Sequence, residues 1–402
     1  MVGAKYRRVW ILGAGFSASL GAPLLQDLLS FRLRSRLKNA GLLKKNAEDL
    51  DPGPDRGQAR LQELVYALYH YGSGFSEGYL LEPHETTPRS EKGLWRHPEE
   101  YLERLDELAL AGANDELAQI RDRFLAALQA SGSSRLMSTL QEGYRKLDLP
   151  PLQASEFADE ARKIVAAECC EFLRQVTARS ERAKPYVHWL HQLGKTSQDT
   201  IVSFNYDCVV EKLSKGVNRE VLVAGVDGEI EAQEHRSKTM GSPLLIKLHG
   251  SVDWERNTTP DNGHAFPFRR SSDAEYAANN VGVLSTPGAS KLSSCEGEFA
   301  PLWQLAKRKL IDAQEVVFVG YRIPESDAAA REMLLDALAE NEESSVFVRV
   351  VLGRPSFDRE RLVSLLEVAL PGRFGGASRR HMNVTVVDAW AEDYLQAWRV
   401  PE

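Results

Sequence analysis

Cysteine is scarce. The chain of 402 residues has four, Cys169, Cys170, Cys208 and Cys295, and none forms a Cys-x-x-Cys pair. That spacing argues against a zinc ribbon, which needs two close pairs of thiolates, and against the paired framework of a small secreted domain. Reduced, mostly buried thiols and no zinc are therefore expected. Long apolar runs are also missing. The opening "MVGAKYRRVWIL" breaks at Gly13 and Gly15, and nothing later approaches the roughly 18 to 20 apolar residues of a membrane helix. The expectation is a soluble, cytoplasmic protein with no membrane contact. Nor is there an excess of positive charge: 50 basic against 57 acidic residues give a net charge of -7. Bulk attraction to nucleic acid is thereby excluded, and no direct nucleic-acid binding is expected.

What the chain does have is ample apolar content, 43%, arranged in short runs of strand length. These are Val9 to Leu12, "TIVSF" at Thr200 to Phe204, "LLIKL" at Leu244 to Leu248, "VVFVG" at Val316 to Gly320, "VFVRVVL" at Val346 to Leu352 and "VTVV" at Val384 to Val387. Continuous apolar runs suit strands buried on both faces, and the later ones alternate with amphipathic helical patterns. Together they predict an α/β fold, a Rossmann-like doubly wound parallel sheet. "VLVAGVDGEIEAQ", with Asp-Gly between two alternating segments, reads as a small hairpin off the main sheet. From about Leu28 to Gly194 the best patterns are helical, including "ARLQELVYALYHY" and "ASEFADEARKIVAAECCEFLRQV". The expected organisation is a core of residues 1–28 and 195–402 with an all-helical insertion, residues 29–194. "DPGPDRGQ" (Asp51 to Gln58) and Gly72 to Pro88 read as loops of the insertion. The apolar faces of its helices suggest self-association into a homo-oligomer.

In an open parallel sheet, ligands bind beyond the carboxyl ends of the strands. The residues following each strand are therefore the candidates. After the first comes Gly13-Ala14-Gly15-Phe16-Ser17; after the second, "FNYD" with Asn205 and Asp207. After the third comes "HGSVDW" with His249 and Ser251; after the fourth, Gly320-Tyr321 and then Pro324, Glu325 and Asp327. The first turn is either a phosphate cradle or a tight strand-to-helix turn. Gly21 falls six residues after Gly15, so the dinucleotide fingerprint is not met. Asp207 could cap the helix that follows it, Asn205 could brace a turn, and His249 could be structural.

"GAGFSASLGAP", "SFNYD", "KLHGSVDW" and "VVFVGYRIPESD", in that order, resemble the motifs of the sirtuin-like domain of prokaryotic antiviral defence proteins. The resemblance implies NAD binding in the crevice formed by these loops. It implies catalysis by His249 as base, with Asn205 holding ribose and water and Asp207 assisting. Gly13, Ala14, Gly15, Phe16, Ser17, Ser203, Gly250, Ser251, Gly320 and Tyr321 would bind the dinucleotide. These residue types suit cleavage of the nicotinamide–ribose bond, which builds positive charge on the sugar. A neutral histidine can take a proton from water or a ribose hydroxyl, and an asparagine positions groups without adding charge.

Two departures from protein-deacylating sirtuins matter: the zinc-ribbon cysteines are absent, and "GAPLLQDLL" replaces their "GIPDFR"-type loop. The implied activity is therefore an NAD glycohydrolase acting as effector of an antiphage system. The resemblance also suggests a separate HerA-like hexameric ATPase as partner. The alternatives are an NAD-dependent protein ADP-ribosyltransferase or deacylase, or a non-catalytic nucleotide-sensing assembly subunit.

Overall fold

Tyr6–Leu12 forms strand β1 through the middle of the molecule, and Val9, Trp10, Ile11 and Leu12 are buried on both faces. The computed structural model describes residues 6–44, 54–73, 94–95, 97–130, 153–195, 197–256, 266–270, 283–284, 297–324, 327–341, 345–353, 359–369 and 381–399. Among them the further strands are β2 Ser197–Ser203, β3 Leu222–Val223, β4 Leu244–Lys247, β5 Gly250–Ser251, β6 Trp254–Arg256, β7 Phe268–Arg270, β8 Val283–Leu284, β9 Glu315–Val319, β10 Ser345–Leu352 and β11 His381–Asp388. Seven of them make one parallel sheet in the order β11-β10-β9-β1-β2-β4-β3. β5 with β8 and β6 with β7 form two small antiparallel pairs. The fold is α/β and Rossmann-like.

The chain starts in the centre, adds β2 and then the edge strand β3, fills the place between them with β4, and crosses to the other side of β1 for β9, β10 and β11. The order therefore reverses between β1 and β9, where an open α/β sheet presents its ligand crevice. At the opposite end, Arg8 locks the three central strands. Its guanidinium lies 2.5 Å from Glu315 and 3.3 Å from Asp199, fully buried, and stacks over Trp398 near the C-terminus.

The helices preceding β2 are α1 Ala14–Ser17, α2 Phe31–Asn39, α3 Pro54–Gly72, α4 Pro98–Leu110, α5 Asn114–Ala130, α6 Ala154–Glu171 and α7 Lys184–Gln192. Those that follow are α8 Val209–Gly216, α9 Ile230–Met240, α10 Ala300–Ile311, α11 Ala328–Glu340, α12 Arg359–Ala369 and α13 Ala391–Ala397. From Ile164 to Glu171 α6 is buried on every side, and α2, α3 and α4 pack on the helix. The apolar face of α3, Leu64, Val65, Leu68 and Tyr69, is filled within the chain, so it is not a surface offered to a second copy. On the core side, α7 and α13 pack together, with Trp189 and Trp398 both edge-on to Trp10 of β1. A second group, α10 on β4, then α11, then α12 on β11, packs in series.

Two expectations need correction. "VLVAGVDGEIEAQ" is not a hairpin: Leu222–Val223 is the edge strand β3, parallel to β4, and Ile230 onward is helix α9. The Asp227 carboxylate accepts the Val223 N–H, and Gln233 bonds both the Gly225 N–H and the Val223 carbonyl. Side chains thus occupy the edge where a second hairpin strand would pair. Within "DPGPDRGQ", residues from Pro54 onward already belong to α3, because proline at the first helical position gives up an N–H that has no intrahelical partner. Of the segment from Gly72 to Pro88, residues 74–88 lie outside the described residues, as do Cys295 and Glu325.

Candidate active site

The first turn and the loop after β9 interlock through their backbones. The Gly13 N–H donates to the Val319 carbonyl at 3.1 Å and the Gly15 N–H to the Gly320 carbonyl at 3.0 Å. A Cβ on Gly13 would meet the Gly320 oxygen at 2.7 Å, and one on Gly320, at φ 65°, would meet the Phe16 nitrogen at 2.2 Å. The glycines thus serve the close approach of two strand ends, and Gly320 also needs the left-handed conformation that glycine tolerates. Two N–H groups expected to face a diphosphate, those of Gly15 and Phe16, are used internally, the latter by the Gly13 carbonyl. Ala14, Gly15 and Gly320 keep partial exposure at the crevice.

Asn205 follows β2 directly and braces this turn. Its amide donates to the Gly13 carbonyl at 3.0 Å and the Ser17 hydroxyl at 3.4 Å, while its own N–H is held by the Ser203 hydroxyl at 3.2 Å. Asp207, half-buried, accepts the Val209 N–H at the start of α8 and bonds Ser17. Burial pushes its carboxyl up; Lys247, the Val209 N–H and Ser17 pull it back without cancelling the effect. Asp207 therefore does act at the helix start.

His249 lies just beyond β4, buried, with Nε2 3.3 Å from Asp327 Oδ2. Asp327 is itself fixed: Oδ1 accepts the Ala330 N–H as the N-cap of α11, and Oδ2 accepts the Tyr321 hydroxyl at 3.2 Å. Aromatic rings enclose the imidazole. Phe204 lies edge-on at 5.0 Å and stacks on Tyr321 at 4.3 Å, and Tyr206 and Trp303 lie 6.1 and 6.3 Å from His249. Burial raises the phenols of Tyr206 and Tyr321 well above their ordinary range, and the Glu99 carboxylate of α4 adds to both.

Behind His249 lies a buried ionic network. Lys247 Nζ donates to the Ser251 hydroxyl at 2.7 Å, the Asp207 carbonyl at 2.5 Å and Glu211 at 3.3 Å. Ser251 in turn donates to Asp253 at 2.6 Å, and Arg270 lies 3.0 Å from Asp253. Burial alone would lower Lys247, but Glu211, Cys208, Asp253 and Asp207 outweigh it and hold the ammonium charged. Cys208, Glu211 and Asp253 have ligand atoms within 4.8 Å of one another. Lys247 and Arg270 already balance the two carboxylates, and burial first, then Asp253, keeps the Cys208 thiol protonated. This cluster has the character of an ion-pair network rather than a metal centre.

Of the expected site residues, the structure brings Gly13, Gly15, Ser17, Asn205, Asp207, Gly320 and Tyr321 into one connected set, with His249 joined to it through Phe204 and Asp327. The side chains of Ser17 and of three others point inward. Phe16 packs on Tyr186 and Trp189; Ser17 and Ser203 hold Asn205; and the Ser251 hydroxyl is committed to Lys247 and Asp253. Gly250, at φ 76°, lies against the Val283 carbonyl in the β5–β8 pair. Sequence reasoning did not assign Asp327, Lys247, Phe204, Tyr206 or Trp303 to the site. The signal for Lys247 was a lone cation inside an apolar strand; Asp327 stood in the right loop but offered no pattern of its own. A shallow groove along α5, lined by Asn114, Glu116, Asp122 and Arg123, lies in the helical layer and contains none of these residues.

Residues 199–369 match the family model of the SIR2-like domain. The match begins in β2 and ends with α12, so it takes in Asn205, Asp207, His249, Tyr321 and Asp327 but not the first turn or the helical layer. Over this part the chain is similar to SIR2-like domains. No curated protein matches the chain. No described helix is long and apolar enough to cross a membrane.

Proposed function

We propose that the protein is an NAD glycohydrolase whose site is the crevice between the first turn, the Asn205 loop and His249. The observation that carries this reading is a buried histidine, held against a carboxylate at the end of a central strand of a sirtuin-like domain, beside an asparagine that braces the glycine turn. The same arrangement supports Gly13, Ala14, Gly15, Gly320 and Tyr321 as the dinucleotide's surroundings. Asn205 orients the ribose and the attacking water. His249 accepts the water proton as the oxygen bonds to ribose C1′, and the bond to nicotinamide breaks with its electron pair passing to the ring nitrogen. NAD and water give nicotinamide, ADP-ribose and one proton. The aromatic walls exclude bulk water and leave the imidazole as the basic group in reach, an arrangement worth about 10²- to 10⁴-fold in rate.

Control belongs to the same proposal. The helical layer is proposed as the element that covers and uncovers the crevice. The motif resemblance adds an antiphage effector role and a HerA-like ATPase partner that raises a low basal turnover. The test is nicotinamide release from NAD by the purified chain, alone and with candidate ATPases. His249→Ala and Asn205→Ala should each lower it 10²-fold or more with the fold intact. Wild-type rates in either variant contradict the assignment, and NAD binding without release by any assembly favours a sensor.

A further inference from the structure

We propose that Asp327 is a positioning residue for His249: its carboxylate, fixed by Tyr321 and by the start of α11, orients the imidazole and stabilises its protonated form. This rests on the hydrolase reading for its catalytic meaning, though not for its geometry. His249 Nε2 lies 3.3 Å from Asp327 Oδ2, and both side chains are buried. A carboxylate beside an imidazole at this distance and away from water favours the imidazolium, and the contact of Nε2 with Asp327 is a charge attraction without hydrogen-bond geometry. The carboxylate cannot swing away. Oδ1 is spent on the Ala330 N–H, and Oδ2 accepts from Tyr321, whose ring is stacked on Phe204. A base held by a group that is itself held has the geometry that general-base catalysis requires.

Other charges face the two phenols that flank the pair. Tyr321 follows β9 and Tyr206 follows β2; Glu99 and Asp106 on α4 and Cys169 on α6 act on Tyr206, and Glu99 acts also on Tyr321. Asp327 is the acid in direct reach of the imidazole. An asparagine in its place keeps the N-cap acceptor for α11 but removes the charge.

The experiment follows His249 by histidine nitrogen NMR across a pH titration of the full chain, as wild type, Asp327→Asn and Tyr321→Phe, with pH profiles of nicotinamide release alongside. Loss of a neighbouring opposite charge should lower the His249 titration point by about one unit or more in Asp327→Asn. The acid limb of the rate profile should move down by the same amount. The plateau kcat should fall at least about 10-fold, with KM changed far less. Tyr321→Phe, which leaves the cap untouched, removes a donor from the Asp327 carboxylate and should shift the His249 titration upward, by less, and it decides the matter if Asp327→Asn fails to fold. A purely structural role would lower melting temperature and leave both the titration and the acid limb in place, and that result overturns the proposal. If wild-type protein releases no nicotinamide, the hydrolase reading fails. The NMR titration still decides whether Asp327 controls His249.

Discussion

Replacing Gly320 by alanine tests whether the glycines join two strand ends. At φ 65° an alanine costs about 1–2 kcal/mol for the left-handed conformation alone. Its Cβ would also lie 2.2 Å from the Phe16 nitrogen and 2.3 Å from the Gly15 carbonyl carbon, roughly 1 Å inside the 3.4 Å at which ordinary contact begins. Both obstacles are backbone, so no side chain can rotate away. The turns must part by about that distance, weakening the Gly15-to-Gly320 hydrogen bond and loosening the frame that Asn205 braces. We expect a total loss of about 3–5 kcal/mol, within the range of overpacking plus backbone strain. Nicotinamide release should fall at least 10-fold in protein that remains folded, since displacements of this size at a positioned site are costly. Gly15→Ala, whose nearest obstacle is the Gly320 Cα at 2.8 Å with φ outside the left-handed region, should lose less on both counts. Urea unfolding and single-turnover release measure the two effects. A Gly320→Ala protein as stable and as active as wild type would refute the reasoning.

Lys247→Met should cost about 3–5 kcal/mol in chemical unfolding, because it leaves Glu211 and Asp253 buried with one cation fewer; an unchanged midpoint would mean that the carboxylates are not paired as described. Glu168 of α6, buried and holding the Leu29 N–H and the Tyr66 hydroxyl, is pushed up by burial to about 8. Its stabilising contribution is complete below the unfolded carboxyl range and is lost as pH rises to about 8, whereas His70, lowered by burial to about 4, contributes above its unfolded range near 6.5 and loses that as pH falls. Between about pH 6.5 and 8 the His70 contribution is complete while Glu168 ionises in the unfolded but not the folded chain, so Glu168 should lower stability by about 2 kcal/mol there, and Glu168→Gln should remove that part of the slope. Metal analysis of purified protein should find well under one zinc per chain; a stoichiometric, chelation-resistant ion would turn attention to Cys208, Glu211 and Asp253.

The strands were legible because each is a short apolar run, and a strand buried on both faces leaves that trace whatever its neighbours. The edge strand β3 was not: two residues carry no periodicity, and the Asp227–Gly228 turn that follows suits a hairpin as well as a helix start. The candidate residues at the strand ends could be grouped from sequence because a parallel topology gathers the carboxyl ends of its strands. What each does depends on partners distant in the chain. Asn205 reaches back to Gly13, and Asp327 meets His249 across the sheet. Ser251 and Lys247 were opaque for the same reason. A serine in a glycine-rich loop and a lysine at a strand end look solvent-facing in sequence, and only the fold closes Glu211, Asp253 and Arg270 around them.

The central claim, that water is the acceptor in an NAD-cleaving site built on His249, is tested most directly by incubating the chain with NAD in ¹⁸O-water and analysing the products by mass spectrometry. The account predicts nicotinamide and free ADP-ribose in equal amounts, the ADP-ribose carrying one ¹⁸O at the anomeric position, and neither product from His249→Ala. ADP-ribose bound to protein, or products undiminished in His249→Ala, would contradict it.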